Sequence, residues 1–202
     1  GPKAKDGFDI SLTEVIGKDG HYFVLDESSE KGKELTAKLD SETATDEQVK
    51  AADARVASAE LGMKRSMNTA GIKELLYHNH DHPNWTEIAS RCLSCANCTL
   101  VCPTCFCHTM EDTTDLTGDH TERWRRWDSC FSLDYSKVAG GNFRTSPKAR
   151  YRQWMTHKLA SWIDQFGTSG CVGCGRCISW CPVGIDITKE VEKIRNSPKT
   201  KS

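Results

Sequence analysis

Eight cysteines stand in two copies of one pattern: cysteine, two residues, cysteine, two residues, cysteine, three residues, cysteine, proline. The first copy comprises Cys92, Cys95, Cys98, Cys102 and Pro103, and the second comprises Cys171, Cys174, Cys177, Cys181 and Pro182. Thiolates are the usual ligands of iron–sulfur clusters, and this run is one that ferredoxins use for a four-iron cluster. The sequence therefore predicts two [4Fe–4S] clusters and a protein that moves single electrons.

The spacing within each copy has a geometric reason. Three cysteines on a tight loop can reach three corners of a cube, whereas the fourth is carried away by the following turn. In two-cluster ferredoxins the fourth cysteine of each run binds the other cluster. We therefore expect a swap, in which Cys181 completes the set of Cys92, Cys95 and Cys98, and Cys102 completes the set of Cys171, Cys174 and Cys177.

Zinc sites and disulfide bonds are the alternatives for a chain with this many cysteines. Zinc sites are usually built from Cys-x-x-Cys pairs, and one zinc ion takes only four ligands. A third cysteine at the same short spacing, followed by a fourth before proline, is more than one zinc ion needs from such a pair. The total of eleven cysteines is odd, and the sequence shows no signal peptide. Both features disfavour a disulfide framework, and the many free thiols favour a reducing, cytoplasmic location.

Composition and charge narrow the function further. The chain has 202 residues, enough for one domain or two small ones, and its mean hydropathy is −0.57. No apolar run approaches the ~20 residues of a membrane-spanning helix, so we expect no membrane partner. Residues 26–60 hold ten acids against five bases, whereas residues 121–160 hold nine bases against three acids. This separation indicates either a docking polarity or two ordinary solvated surfaces.

The N-terminal residues predict a β-hairpin. Polar and apolar residues alternate over 9–15, Lys18-Asp19-Gly20 supplies a turn, and residues 21–25 favour a second strand. Gly1-Pro2 resembles the remnant of a cleaved expression tag. We therefore assign residues 1–26 to this remnant and to a hairpin that ends an upstream domain.

Residues 27–68 predict a helical arm. Ser28 or Ser29 can cap a first helix, and Thr45 with Gln48 forms a capping box for a second, alanine-rich helix.

Residues 69–202 predict a helical domain around the cysteines, which makes the fold class mainly α. The 68 residues between Cys102 and Cys171 are too many for the compact ferredoxin of two similar halves. The predicted helices begin at Thr69, at Asn84, at Glu122 (through Tyr135), after Ser146-Pro147 (through Phe166), and after Asp186 (before Asn196-Ser197-Pro198).

Three cysteines remain outside the two motifs: Cys105, Cys107 and Cys130. They are either a thiol or persulfide site, an alternative ligand set, or small side chains that fill space around a cluster. The last interpretation is favoured, because no sequence neighbour offers a base for a nucleophile.

Histidines and an aromatic–basic run are weaker signals. His78, His80 and His82 alternate along the chain, which permits a metal site, although a solvated loop is favoured. Trp124-Arg125-Arg126-Trp127 mixes tryptophan with arginine, as nucleic-acid stacking platforms do. We interpret these tryptophans as core and the arginines as a docking face or as donors near cluster sulfur, so nucleic acid is disfavoured as a partner.

The chain also resembles a known family over about half of its length. The residues from Cys92 to Asp186 resemble the iron–sulfur beta subunit of cytosolic nickel–iron hydrogenases (sulfhydrogenases) and the A subunit of anaerobic sulfite reductase. The stretches that carry the resemblance are 92–107, Trp127-Asp128-Ser129-Cys130, 138–142, Arg150-Tyr151-Arg152 and 171–182.

This resemblance implies a fold and a function. The implied fold is a helical dicluster ferredoxin with two related cluster loops, preceded by a longer N-terminal region than this chain contains. The implied function is electron transfer between a flavin- and NAD(P)-binding subunit and a catalytic subunit, either a nickel–iron hydrogenase or a sirohaem reductase.

Two other functions stay open. One is a sulfur- or thiol-reducing enzyme that uses Cys105, Cys107 or Cys130, and the other is a redox-sensing module that binds nucleic acid. The sequence lacks a flavin or nicotinamide fingerprint and a recognisable pairing of nucleophile and base. We therefore expect no catalysis by the chain alone.

Overall fold

The computed structural model describes residues 2–18 and 20–197. The chain divides into two units, Gly1–Ser66 and Met67–Ser202. Gly1 of the tag remnant, Asp19 of the predicted turn and Pro198 after the last predicted helix lie outside the described residues.

The first unit contains the predicted β-hairpin. Strand β1 (Ile10–Gly17) pairs antiparallel with β2 (Gly20–Glu27), and Gly17 lies opposite Gly20. An isolated hairpin is marginally stable in water and needs a surface to pack against. Val15 of β1 is buried, and the guanidinium of Arg55 donates a hydrogen bond to the carbonyl of Ile16, so a helix of the same unit provides that surface. That this hairpin ends an upstream domain stays a prediction.

Two capped helices follow the hairpin. Helix α1 (Glu30–Thr36) begins at Ser29, whose hydroxyl accepts a hydrogen bond from the Gly32 N–H at 3.0 Å. Helix α2 (Asp46–Leu61), which carries Arg55, begins with the predicted capping box. The Thr45 N–H donates to the Gln48 side chain at 2.8 Å, and the Gln48 N–H donates back to the Thr45 hydroxyl at 3.3 Å.

The second unit is mostly helical, as predicted. Its elements in chain order are α3 (Ile72–His78), α4 (Asn84–Arg91), α5 (Asn97–Leu100), β3 (His108–Thr114), β4 (Thr121–Trp127), α6 (Pro147–Thr156), α7 (Trp162–Phe166), α8 (Arg176–Ser179) and α9 (Ile187–Asn196). One turn of π-helix, His157–Ser161, joins α6 to α7. Trp85, Ile88, Met155, Leu159 and Val191 are almost fully buried, so the core lies among α4, the α6–π–α7 helix and α9.

A buried carboxylate ties α4 to α9 within this core. Glu190 accepts hydrogen bonds from the Asn84 amide at 3.0 Å and from the Arg91 guanidinium at 2.9 Å. The ammonium group of Lys193 donates a third hydrogen bond to the Glu190 carboxylate, at 3.3 Å. A buried charge is tolerated only when it is paired and hydrogen-bonded, and this one is.

The predicted helix over 122–135 is wrong, because these residues begin with strand β4 of a second hairpin. β4 pairs antiparallel with β3, and Asp112 and Glu111 of β3 form ion pairs with Arg123 and Arg126 at 2.7 and 2.8 Å. Trp124 and Trp127 stand three residues apart, which imitates helical periodicity in a segment where no face is buried.

The prediction that Trp124 and Trp127 are core residues is also wrong. They are 49% and 59% exposed. Since successive side chains of a strand point to opposite faces, residues three apart lie on different faces of the hairpin. The two tryptophans therefore do not form one stacking platform.

The long helix before the second cysteine motif is the predicted one, but it is not α-helical throughout. Its π-helical turn shifts the hydrogen-bond register, and the carbonyl of Lys158 accepts from the N–H of Gly170 at 2.9 Å. This contact folds the chain back onto the helix, just before Cys171. No helix of residues 2–18 and 20–197 is long and apolar enough to cross a membrane.

The close approach at Gly170 gives a stability prediction. A Cβ atom there would lie 2.5 Å from a ring carbon of Trp162 and 2.8 Å from the Lys158 carbonyl oxygen. We expect Gly170→Ala to lower the free energy of unfolding by about 1–3 kcal/mol, the usual cost of forcing an atom into a packed site. Anaerobic urea denaturation measures this change.

Gly140→Ala is the matched control, because a Cβ atom at Gly140 meets nothing within 4 Å. Equal stability of the two alanine variants would contradict the argument.

Candidate functional site

The two cysteine loops follow the same backbone path. In each loop, φ is positive two residues after the first cysteine and one residue after the second. It is 52° and 65° at Ser94 and Ala96 in the first loop, and 70° and 73° at Gly173 and Gly175 in the second. Each loop then enters a single short helical turn, α5 or α8. The sequence repeat is therefore also a structural repeat.

The structure brings the first predicted ligand set together. Cys92, Cys95, Cys98 and Cys181 line one cavity, and Cys177 also borders it. Burial and the neighbouring thiols of Cys92, Cys177, Cys95 and Cys181 raise the pKa of Cys98 far above its ordinary value. Cys181 thus lies with the first motif, as the swap requires.

The second predicted set has the complementary arrangement. Burial raises the pKa of Cys177 to about 11, and the thiols of Cys171, Cys102 and Cys174 act in the same direction. Cys102 thus lies with the second motif. Because Cys177 borders the cavity of the first set and raises the pKa of Cys98, the two sets adjoin.

Two polar contacts fasten the motifs to each other. The Thr104 hydroxyl, two residues after Cys102, donates to the carbonyl of Gly170 at 2.6 Å, directly before Cys171. The Asn97 amide, directly before Cys98, donates to the carbonyl of Trp180 at 3.3 Å, directly before Cys181. The first contact places the end of the first motif beside the start of the second, and the other places the fourth cysteine of the second motif near the third cysteine of the first, which supports the exchange of fourth cysteines.

A buried lysine lies beside the second set. The ammonium group of Lys158 donates to the Thr104 hydroxyl at 2.8 Å and to the Gly170 carbonyl at 3.1 Å, and it lies 5.1 Å from the centre of the Trp162 ring. Burial alone would lower the pKa of Lys158, but the sulfurs of Cys105 and Cys102 outweigh it and the pKa is raised. Lys158 could not be singled out from the sequence, since a single lysine among the apolar residues of a helix was its only signal.

All eleven cysteines are free thiols, and the donor set fits clusters better than single ions. Within residues 2–18 and 20–197, no three His, Cys, Asp or Glu side chains converge closely enough for one metal ion. Thiolates that each bind a different iron of a four-iron cluster need no such convergence. Because metal ligands must be deprotonated, cluster uptake by thiols with raised pKa values releases protons.

Two unpaired hydrogen-bond donors line the first cavity. Tyr151 and Trp154 are 3% and 4% exposed, and neither the tyrosine hydroxyl nor the indole N–H has a partner among the described residues. Burial raises the pKa of Tyr151, so its hydroxyl keeps its proton. Buried donors of this kind are normally satisfied. The sequence predicted both residues only as apolar helix positions.

The extra cysteines fall into two groups. The Cys105 thiol donates a hydrogen bond to the sulfur of Cys102; this bond, with help from Thr104 and Lys158, lowers the pKa of Cys102 to about 4. Cys105 thus supports a predicted ligand. Cys107 and Cys130 pair with each other on the wall of a separate cleft.

The histidine run is a solvated loop only in part. His78 and His80 are exposed, as predicted, but His82 is 5% exposed and its Nδ1 accepts a hydrogen bond from the Asn84 N–H at 3.1 Å. His82 therefore supports the start of α4, where a cap by Asn84 itself was predicted. Burial lowers the pKa of His82.

Comparison with known proteins identifies the site. Residues 91–185 match the family described as the 4Fe-4S dicluster domain. Over 195 residues the chain is 34% identical to the curated protein "Sulfhydrogenase 2 subunit beta" of Pyrococcus furiosus, an alignment that covers 95% of this chain and 56% of that protein. The chain is a homologue of this sulfhydrogenase beta subunit and contains a 4Fe-4S dicluster domain. It spans about half the length of this relative. No solved structure matches it.

The match to the dicluster domain confirms the predicted cofactors. The dicluster domain with its two cysteine motifs carries two [4Fe–4S] clusters. The residues present fit them, because the thiols form two adjoining sets and the first cavity adds unpaired donors that cluster sulfur can satisfy. Which cysteine serves which cluster stays a prediction, and the swapped sets are our assignment.

The swap predicts an outcome for Cys102→Ser. If Cys102 binds the second cluster, this variant should alter or lose the cluster of Cys171, Cys174 and Cys177 and keep the other. Iron and sulfide analysis, together with electron paramagnetic resonance of the reduced protein, can distinguish the two.

Cys105→Ser is the control, because its hydroxyl can still donate to Cys102 and both clusters should remain. A change confined to the cluster of Cys92, Cys95 and Cys98 in Cys102→Ser would show local ligation instead.

Proposed function

We propose that this chain relays single electrons between a flavin- and NAD(P)-binding subunit and a catalytic subunit of a cytosolic oxidoreductase complex. The proposal rests on one observation: the two thiol sets lie next to each other within one unit. Hydrogen bonds from Thr104 to Gly170 and from Asn97 to Trp180 hold them there. Clusters held by these two thiol sets would lie close together, an arrangement that suits a relay. The relative's name, a subunit of a sulfhydrogenase, supports a place in a larger complex.

Charged and hydrogen-bonding side chains of this chain surround the two cluster sites. When bound, the clusters supply one-electron chemistry. Lys158 places a buried positive charge beside the second set, whereas Tyr151 and Trp154, which line the cavity of the first set, each carry a neutral donor without a partner among the described residues. Hydrogen bonds and positive charge near sulfur favour the reduced state and raise the reduction potential.

A redox partner needs a surface to dock on, and the β3–β4 hairpin offers one. Met110, Leu116, Trp124 and Trp127 are all exposed there. The basic character of this region is smaller than its sequence implies, because Arg123 and Arg126 are paired with acids of β3. Arg125 has the His108 ring as its neighbour at 3.4 Å. We therefore assign the attraction of an acidic partner mainly to Arg125.

The unpaired tyrosine predicts a change in potential. Tyr151→Phe removes the hydroxyl and keeps the ring, so we expect the first cluster to become harder to reduce. If the hydrogen bond is stronger by about 1 kcal/mol in the reduced state, the potential falls by roughly 40 mV. A redox titration followed by electron paramagnetic resonance measures the shift.

Tyr77→Phe is a suitable control for this experiment. The Tyr77 hydroxyl bonds Asp164 at 2.6 Å and does not line the cavity, so both potentials should stay unchanged. If the reduction potential of the first cluster is the same in Tyr151→Phe, the Tyr151 hydroxyl does not tune that cluster and the proposed role is wrong.

The docking surface predicts a change in association rate. Arg125→Glu should slow reduction of the chain by its flavoprotein partner several-fold at low salt and much less at high salt, because exposed charges act mainly on encounter and are screened. Stopped-flow absorbance at several salt concentrations measures this rate. Lys38→Glu, an exposed basic residue of the first unit, should have a smaller effect.

The relay itself is tested with the isolated, cluster-replete chain. It should accept electrons from dithionite and pass them on, and it should not turn over NADPH, hydrogen, sulfite or polysulfide without a partner subunit. Steady turnover of any of these four by the chain alone would replace the relay with an enzyme.

A further inference from the structure

A second cleft opens beside the two cysteines that the cluster assignment leaves unused. It has a volume of about 330 Å³ and is lined by Cys107, Cys130, Tyr135, Arg144 and His157. Sites for small organic molecules begin at about 300 Å³, so the cleft is large enough for one. Its wall is polar and carries two thiols, a phenol, an imidazole and a guanidinium.

The two thiols in this cleft are partners. Cys107 precedes β3 and Cys130 follows β4, and the N–H of Asp128 donates to the Cys107 carbonyl at 2.9 Å, which holds the two chain segments together. The Cys130 thiol and the Tyr135 hydroxyl both donate hydrogen bonds to the Cys107 sulfur.

These contacts make the two thiols unequal. The hydrogen bond from Cys130, assisted by Tyr135 and by the charge of His157, lowers the pKa of Cys107. The same hydrogen bond and burial raise the pKa of Cys130. A thiolate in a partly open, electropositive setting, next to a second thiol, is the arrangement of reactive cysteine pairs.

The guanidinium of Arg144 indicates the charge of the ligand. Arg144 is half-buried in the cleft wall and has no hydrogen bond or ion pair in the part of the chain that the structure describes. Guanidinium groups bind carboxylates in a two-pronged geometry. We propose that Cys107 and Cys130 form a redox-active dithiol that exchanges with a small, carboxylate-bearing disulfide bound in this cleft.

The exchange has two balanced steps. The Cys107 thiolate attacks one sulfur of the bound disulfide, a mixed disulfide forms on Cys107, and the other half leaves as a thiolate that takes up a proton. Cys130 then gives up its proton and attacks the Cys107 sulfur, which releases the second half as a thiol. The disulfide is reduced by two electrons to two thiols, and the protein dithiol is oxidised to a Cys107–Cys130 disulfide.

The test uses the cluster-replete chain, prepared anaerobically, with oxidised glutathione as the probe. We expect two molecules of glutathione to be released per chain, a loss of two hydrogen atoms from the protein mass, and one linked peptide that joins Cys107 to Cys130. The iron content should not change. A linked peptide that involves other cysteines, or no release of glutathione, would overturn the proposal.

Two single variants separate the roles of the thiols. Cys130→Ser should stop at the mixed disulfide, with one glutathione released and one retained on Cys107. Cys107→Ser should slow release at least tenfold. If either variant loses iron, that cysteine is a cluster ligand and the dithiol assignment is wrong.

Arg144→Gln tests the recognition of carboxylate. It should slow exchange with oxidised glutathione several-fold and leave exchange with the uncharged 2-hydroxyethyl disulfide unchanged. Lys189→Gln, an exposed residue of α9 outside the cleft, should slow neither. Equal slowing of both probes in Arg144→Gln would overturn the assigned ligand class.

Discussion

The buried ammonium group of Lys158 is the contact on which the arrangement of the two motifs depends. It bonds Thr104, which follows the first motif, and Gly170, which precedes the second, and these two also bond each other. A buried ammonium without negative neighbours would lose its proton or destabilise the fold. The thiolates of the second site are those neighbours, so the fold and the site stabilise one another.

The π-helical turn is part of the same arrangement. It lies at His157–Ser161 and includes Lys158, whose carbonyl accepts the N–H of Gly170 outside the helix. Such turns are often found at functional sites, where one extra residue changes which groups face the core. Here one residue uses both its side chain and its carbonyl to hold the segment before Cys171.

Much of the site could be predicted from the sequence, because cysteine spacing reports directly on cluster geometry. Glycines at 173 and 175 permit the left-handed backbone of the second loop, but Ser94 and Ala96 adopt it in the first loop without that signal. A left-handed conformation costs such residues roughly 1–2 kcal/mol, so the first loop depends on its surroundings to hold it. Helices α1, α2, α6 and α9 were predictable because each begins with a residue whose side chain caps it.

What could not be predicted depends on contacts that are distant in sequence. The β3–β4 hairpin has no buried face, so the spacing of Trp124 and Trp127 indicated a helix wrongly. The pairs of Arg123 with Asp112 and Arg126 with Glu111 appear only once the strands are aligned. Such exposed pairs add little to stability, because water and salt screen them. The burial of His82 and Lys158, and the pairing of Cys107 with Cys130, likewise require the folded chain.

Two copies of one motif thus give two unequal sites. The first site has Tyr151 and Trp154 as neutral donors, whose effect is short-ranged and directional. The second has Lys158, whose charge acts through a poorly screened interior over a longer distance. The inequality arises from one helix, since α6 carries both donors and the adjoining π-helical turn carries the lysine. Hydrogen bonds and charge near a cluster tune its reduction potential, so this one helix can give the two clusters different potentials although the motifs themselves are alike.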